Sequence, residues 1–574
     1  PPPPPLKDPP PTAPYTVYKS SAASDVYKRQ GWDCAVTRPS AGEYDAADCP
    51  PRYDRSSCFV AANISVRRTR PQHEAIPAMR FLALLSFGVL APFAAPLAAQ
   101  TVADHPRVRE AVTVVETWLD AQRAYENIPG LSAALVYDQE LIWAGATGLA
   151  DPDTGAPATP QTAYSICSIS KLFTAIGVMQ LRDVGRLRLD DRVADLLPWF
   201  DIREAYEGAP PVTVRGVLTH SAGLPRESDF PYWVEPFDFP TREQVVERLG
   251  QQEMLYPADR YYQYSNLGLA LAGEIVAEVS GTPYGEYVRS NILEPVGMTA
   301  TWPEISDYPN PERLAAGYSA TRRDGTRKRM PPFAVEGIAP AAGFASTVED
   351  LARFASWQFR VLETGGDEVL GANTLREMQR VHWLDPGWGA TRGLGFGVYR
   401  DYGVTSVGHY GLCPGYYSAI RLQVPSRLAA IVMMNAIAVS PSALAVEAIR
   451  LIGPAVEQAI QDGHAAREEM LPSDDQPAVL PVEFERFIGS YDENPWGGEA
   501  AVVAWEAGLA ILWLPTMSPV DGLTPIEHVA GNTFRRIRAD GELGETYEFV
   551  EDQEGQVVGM RYHSNTYPRL EVEW

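Results

Sequence analysis

The stretch Tyr164–Ala175, YSICSISKLFTA, sets a serine and a lysine three residues apart, Ser168 and Lys171, at the start of a helical pattern. That spacing puts both side chains on one helix face, near the positive end of the dipole. A serine hydroxyl is a poor nucleophile until a base removes its proton. Lysine can be that base when burial or neighbouring charge lowers its pKa, whereas arginine stays protonated. From Gln100 onward the chain uses 35 arginines but only two lysines, Lys171 and Lys328. A lysine kept at this position therefore points to a task that needs deprotonation. Chance alone yields an S-x-x-K about once or twice in a chain this long at average composition, and the scarcity of lysine weakens that explanation.

Two further groups have residue types that complement such a pair. Tyr264, Ser265 and Asn266 form Y-S-N ahead of a helical run. A tyrosine can pass a proton between nucleophile and leaving group, and an asparagine amide can hold a substrate carbonyl and the lysine. By itself a tyrosine and an asparagine in a loop read equally well as a packing and turn pair. His409, Tyr410 and Gly411 enter a predicted strand in SVGHYGLCPGYYSAIRLQV. Gly411 would let a substrate lie against the strand backbone, and the N–H of Leu412 would join that of Ser168 as an oxyanion hole. His220, in VLTHSAGLP, competes for the part of catalytic histidine. Thr219 stands where a G-x-S-x-G elbow needs its first glycine, so a structural His220 is the better reading.

In order and spacing these three groups resemble the serine β-lactamase and penicillin-binding protein superfamily, in the branch of class C β-lactamases, family VIII esterases and D-aminopeptidases. The resemblance runs from about Gln100 to Ile460 and includes VLTHSAGLP at Val217, ILEPVGM at Ile292 and PAAGFASTVEDLARF at Pro340. It implies Ser168 as nucleophile, Lys171 as its base, Tyr264 as proton relay, Asn266 as substrate contact and His409–Gly411 as the third motif, with Leu412 beside it. The sequence departs from the usual K-T-G third motif: His409 replaces the cation and Tyr410 the threonine, which weakens carboxylate recognition and brings it nearer the esterases and D-aminopeptidases. No clear counterpart of the class A glutamate that activates the deacylating water is visible. The resemblance also implies a Cys167–Cys413 disulfide, since class A carbapenemases join the corresponding places; two small buried hydrophobes are the alternative.

The elements that must position these groups read as an α+β domain. A helical pattern, Val108–Tyr125, leads into the apolar runs LSAALVYD and LIWAGATG, and much later YYSAIRLQV and LAAIVMMNA flank PSR. Strands at both ends with helices between them, among them Leu172–Val184, Leu267–Val279 and Thr347–Leu362, predict one antiparallel sheet built from both ends of the domain, flanked by helices and a helical subdomain. Thr347 with Asp350 three residues on is a capping signal. A last helical pattern, Pro441–Ile460, closes this part. Beyond LPSDDQPAVLP the texture changes: AAVVAWEAGLAILWLP and YEFVEDQEGQVVGMRY are strand pairs, predicting a small all-β barrel that resembles the lipocalin-like domain following many catalytic domains of this kind. That barrel could bind a ligand, shape access to the cleft, mediate homo-oligomer assembly or simply stabilise the fold. The expected organisation is therefore 1–78 a non-native or disordered leader, 79–99 a signal peptide, 100–475 the hydrolase domain and 476–574 the barrel.

The signal peptide expectation rests on MRFLALLSFGVLAPFAAPLAAQ, a start methionine, one arginine, an apolar run broken by Pro92 and Pro96, and a small-residue ending. No cysteine follows for a lipid anchor, so an exported protein, periplasmic or extracellular and without a stable membrane anchor, is expected. Net charge is −25, and residues 1–99 hold 11 Lys and Arg against 8 Asp and Glu, so the remainder is more acidic still. Such a surface repels nucleic acid. No histidine pair with metal-ligand spacing and no Gly-rich phosphate loop is present, so no cofactor or metal is implied. The expected activity is an acyl-enzyme serine hydrolase on small esters or D-amino-acid amides and peptides. A β-lactamase or D,D-carboxypeptidase is the enzymatic alternative, and a β-lactam or peptidoglycan sensor without turnover the non-enzymatic one.

Overall fold

The computed structural model describes residues 101–468, 480–495 and 497–571. The expected leader, signal peptide and 475/476 domain boundary lie outside the described residues. A nine-stranded antiparallel sheet forms the frame, built from β1 (Gly130–Tyr137), β2 (Glu140–Asp151), β3 (Ala156–Pro157), β4 (Trp383–Leu384), β5 (Thr391–Arg392), β6 (Gly397–Asp401), β7 (Val404–Cys413), β8 (Tyr416–Gln423) and β9 (Leu428–Met434). Their spatial order is β3-β2-β1-β9-β8-β7-β6-β5-β4. The sequence-distant β1 and β9 pair from Leu131↔Met434 to Tyr137↔Leu428, so both ends of the domain meet in the sheet centre, as the pattern of runs predicted.

The apolar run of β9 is continuous because both faces are covered. Ala429, Ile431 and Met433 enter one core, with helices α2 (Ser170–Asp183), α3 (Asn266–Ser280) and α4 (Val348–Thr364). Leu428, Ala430, Val432 and Met434 enter the other, with α1 (Pro106–Tyr125) and α5 (Pro441–Glu468). Helix α2 is buried on almost every side, including the polar Ser170, Lys171 and Thr174. Thr347 caps α4 by accepting from the Asp350 N–H at 3.2 Å, while the Asp350 carboxylate turns away from the cap to accept from Ala300 N and Thr301 Oγ1, both at 2.8 Å. A polar group this deep must find partners, and here they come from a segment distant in sequence.

The C-terminal strands are β10 (Gly489–Asp492), β11 (Glu499–Trp505), β12 (Gly508–Leu514), β13 (Leu523–Ala530), β14 (Thr533–Ile537), β15 (Leu543–Glu551), β16 (Val557–Tyr562) and β17 (Asn565–Pro568), an eight-stranded antiparallel meander. It is nearly closed: Tyr491 bridges to Arg569, and Leu570 N donates to Ser490 O at 2.8 Å. Phe487, Tyr491, Phe534, Tyr547, Phe549, Met560 and their neighbours fill its interior. Aromatic side chains thus occupy the centre of the barrel. The outer face of its β11–β12 wall is also buried. Ala501, Val503, Ala510, Leu512 and Leu514 belong to the same core as α1 and α5, and Trp118 Nε1 and Gln122 Nε2 donate to Thr516 O at 2.8 and 2.5 Å. Strands β11 and β12 are apolar on both faces for the same reason β9 is.

Candidate active site

Ser168 sits in a short turn leading into α2, where Cys167 holds a left-handed φ of +48°. That conformation is uncommon for a residue with a side chain and needs support from its surroundings. Several contacts supply it. Ile166 N donates to Phe344 O at 2.8 Å, Ser170 Oγ donates to Cys167 O at 2.5 Å, and Phe344 N donates to Ser170 Oγ at 3.1 Å. Cys167 is joined to Cys413 by a disulfide that ties the nucleophile turn to the end of β7.

Lys171 is 0% exposed. Its Nζ lies 3.0 Å from Ser168 Oγ, 2.8 Å from Asn266 Oδ1 and 2.8 Å from Ala341 O. Burial holds its pKa well below the ordinary lysine value; the Glu227 carboxylate pulls it back up and the Arg226 guanidinium pushes it down. A neutral amine has two hydrogens and one lone pair. Two contacts, Asn266 and Ala341, can only accept, so the lone pair falls to the third, the serine hydroxyl. Pro340 and Ala341 enter the site through the PAAGF segment, whose carbonyls take hydrogens from Thr174 Oγ1 at 2.6 Å and from Lys171. The sequence marked that segment without revealing that its backbone faces the lysine.

The Tyr264 ring stands beside the serine–lysine pair, its centroid 4.9 Å from Lys171 Nζ. Burial raises its pKa above the ordinary phenol range, with the neighbouring Ser168 opposing, so the phenol keeps its proton. The His220 ring lies against the Tyr264 ring, centroids 4.3 Å apart, and His220 Nδ1 accepts from Ser265 N at 3.1 Å. His220 thus packs beneath the segment that carries Tyr264, the structural role expected of it. Asn266 Oδ1 accepts from Lys171 while its Nδ2 donates to Glu227 Oε1 at 2.8 Å. Both ends of the amide are engaged within the protein: the lysine contact is the one the sequence suggested, the Glu227 contact is additional, and Asn266 also lines the cleft. Glu227 was missed by sequence reading; a lone acid two residues past VLTHSAGLP has no spacing signal.

The third motif lies on β7 at a half-covered edge. Strand β8 pairs with Val407–Cys413, whereas β6 covers only Val404–Gly408, so His409–Cys413 lack a strand partner on that side. Gly411 is required there: a Cβ would lie 2.0 Å from Ile166 O. Leu412 and Ser168 both line a cleft of about 640 Å³, shared with Asn266, Glu227, Trp233 and Phe237. Tyr410 is exposed, its ring 5.8 Å from that of His409. His409 Nδ1 donates to Tyr410 O at 2.7 Å. Burial lowers the His409 pKa to about 3, with Lys171 in its protonated form and Arg392 adding to it, so the ring is neutral. Arg392 was also missed by sequence reading; it donates to Tyr262 Oη at 2.7 Å. Among the described residues no helix is long and apolar enough to cross a membrane.

Comparison with known proteins agrees with this geometry. The Beta-lactamase family profile matches residues 115–451. "Beta-lactamase-like protein 2" of Dictyostelium discoideum is 26% identical over 425 residues, covering 71% of this chain and 75% of its own. "Penicillin-binding protein 4" of Amycolatopsis lactamdurans is 28% identical over 330 residues, covering 55% and 83%. Among solved structures, D-amino acid amidase from Ochrobactrum anthropi SV3 superposes with a TM-score of 0.51 at 26% identity, over 62% of this chain and 99% of its own. The octameric penicillin-binding protein homologue from Pyrococcus abyssi shares the fold, with a TM-score of 0.54 at 24% identity over 79% and 99%. With its profile match spanning most of the sheet and every element around Ser168, the chain is a serine hydrolase that belongs to the Beta-lactamase family.

Proposed function

We propose that this hydrolase works through an acyl-enzyme on small esters and D-amino-acid amides. The observation that carries the reading is the three-contact environment of Lys171, which leaves one lone pair for the Ser168 hydroxyl. As Oγ bonds the substrate carbonyl carbon, its proton moves to Lys171 Nζ and the carbonyl π pair moves onto oxygen. The N–H groups of Ser168 and Leu412 stabilise that oxyanion. On collapse the leaving amine or alkoxide takes a proton through Tyr264, which recovers one from the Lys171 ammonium. Water then attacks the ester, gives a proton to the lysine and releases the acid, with Ser168 regaining its hydrogen.

The D-amino-acid amidase likeness supports the amide half of this reading. A neutral His409 offers no fixed cation for a substrate carboxylate, which argues against a β-lactamase or D,D-carboxypeptidase. The likeness to a protein named for penicillin binding favours a second reading, a β-lactam acceptor that acylates without turnover. We further propose that the barrel braces the hydrolase domain through the core it shares with α1, and that the protein is exported, since the Cys167–Cys413 bond suits an oxidising compartment.

Intact-mass spectrometry and turnover with a nitrophenyl ester, D-phenylalaninamide and a chromogenic cephalosporin test this, with S168A alongside. The expected result is a transient adduct on Ser168 and release of product from the ester and the amide. A cephalosporin adduct that persists, with neither other substrate turned over, would establish the acceptor reading instead. Absence of any adduct would end both.

A further inference from the structure

Glu227 lies in the cleft but belongs to none of the three motifs. Its side chain is largely buried, at 22% exposure. Oε1 accepts from Asn266 Nδ2 at 2.8 Å and lies 3.1 Å from Arg226 Nε, and Oε2 accepts from Tyr232 Oη. The backbone beneath it is pinned to α3: Asn266 N donates to Arg226 O at 2.8 Å and Ser265 Oγ to Pro225 O at 2.6 Å. Gly223, at φ +74° and with a would-be Cβ 2.1 Å from Tyr256 O, lets the loop turn tightly enough to get there.

An asparagine amide has a donor end and an acceptor end that differ little in shape. A carboxylate can only accept from it, and Lys171, its lone pair engaged by Ser168, has only hydrogens left to offer it. With Lys171 on one side and Glu227 on the other, a flipped amide would set donor against donor and acceptor against acceptor. We propose that Glu227 is a positioning residue for the serine–lysine pair, fixing the Asn266 amide in the one orientation that accepts from Lys171. An unbroken chain then runs from Tyr232 through Glu227, Asn266 and Lys171 to Ser168. Without Glu227 the amide could rotate and draw Lys171 off the hydroxyl. The inference rests on the acyl-enzyme reading above.

Wild type, E227A and E227Q are compared on a nitrophenyl acetate ester, which has no amine, and on D-phenylalaninamide, which has one. E227A is expected to lower kcat on both by about 10²-fold, the loss that a misplaced catalytic group produces, with KM little changed. E227Q keeps an acceptor for Asn266 Nδ2 and should recover much of that loss. It should also move the acid limb of kcat/KM to lower pH, because it removes the one negative charge acting on Lys171, leaving the opposing Arg226, Arg392 and the neutral rings of His220, His409 and Tyr264 in place. Loss confined to the amide and expressed in KM would mean that Glu227 binds the substrate ammonium, and would overturn the inference. So would an E227A kcat equal to wild type on both substrates. Should E227A lack a native circular dichroism spectrum, E227Q decides: an acid limb coinciding with wild type overturns the inference. A fluorophosphonate probe separates the two readings. If wild type is not labelled at Ser168 the acyl-enzyme reading falls and this inference with it; if it is labelled, and E227A is labelled equally fast, only the inference falls.

Discussion

The surroundings of α2 and the interior of the C-terminal barrel are both densely buried, yet they differ in the polar groups they enclose. Around α2 the protein encloses Lys171, Ser170, Thr174, Asn266, His220 and His409. Inside the barrel it encloses Phe487, Tyr491, Phe534, Tyr547, Phe549 and Met560. Burying a polar group is costly unless its hydrogen bonds are met, so the first region is dense in bonds between segments far apart in sequence, while the second relies on aromatic packing. A protein accepts that cost where chemistry needs a perturbed group, and avoids it where only stability is at stake.

The sharpest break between the two regions is catalytic. S168A should abolish adduct formation, and K171R, which keeps a cation but cannot supply a lone pair, should lower kcat/KM by about 10²–10⁴-fold, the range a lost general base produces. Steady-state kinetics with folding monitored by circular dichroism checks this. A K171R enzyme near wild-type rate would remove the distinction between the regions. On the other side, W118A deletes a side chain that is 0% exposed at the barrel contact. It should cost about 3–5 kcal/mol of stability, read by denaturant titration, while the rate of Ser168 acylation in the folded fraction stays unchanged.

Between these extremes lies the Cys167–Cys413 bond, which belongs to the site yet acts as a brace. Replacing both cysteines with alanine should cost about 2–5 kcal/mol and slow acylation, because the left-handed turn at Cys167 loses its anchor. A melting curve and a burst experiment on the same sample separate the two effects. The smallest effect concerns pH. His409 is held neutral with a pKa of about 3, against an ordinary value of 6.5. As pH falls from 6.5 towards 3 the unfolded chain takes up a proton that the folded protein refuses, so this contribution to stability is complete above 6.5 and is lost across that window. H409Q should flatten the fall in melting temperature over that range, whereas H528Q, on an exposed barrel histidine, should leave it as it is.

Much of the arrangement was legible in the residue pattern. Apolar runs at both ends of the first domain predicted a sheet built from both, and β1 pairs with β9 accordingly. Ser168 and Lys171 come within 3.0 Å of each other, as the i, i+3 spacing at a helix start suggested, although Ser168 stands in the turn just before α2. Other features had no linear signal. The Asp350 carboxylate serves Ala300 and Thr301 beyond its own helix cap, and the apolar outer faces of β11 and β12 showed two buried sides without naming the second partner, α1.

By itself the sequence determined which chemistry was available: a hydroxyl, an amine in an arginine-rich chain, a phenol, an amide and a glycine-bearing strand, in an order that resembles one superfamily. Only the tertiary structure decided how that chemistry is tuned. Lysine basicity depends on how much water is excluded and on which acceptors meet its hydrogens. Both are set by Asn266, Ala341 and Glu227, which lie 56 to 170 residues from Lys171 along the chain. The surroundings of the barrel turned on the same kind of information, since a continuous apolar run tells that both faces of a strand are buried but not whether aromatic rings or a neighbouring helix will cover them.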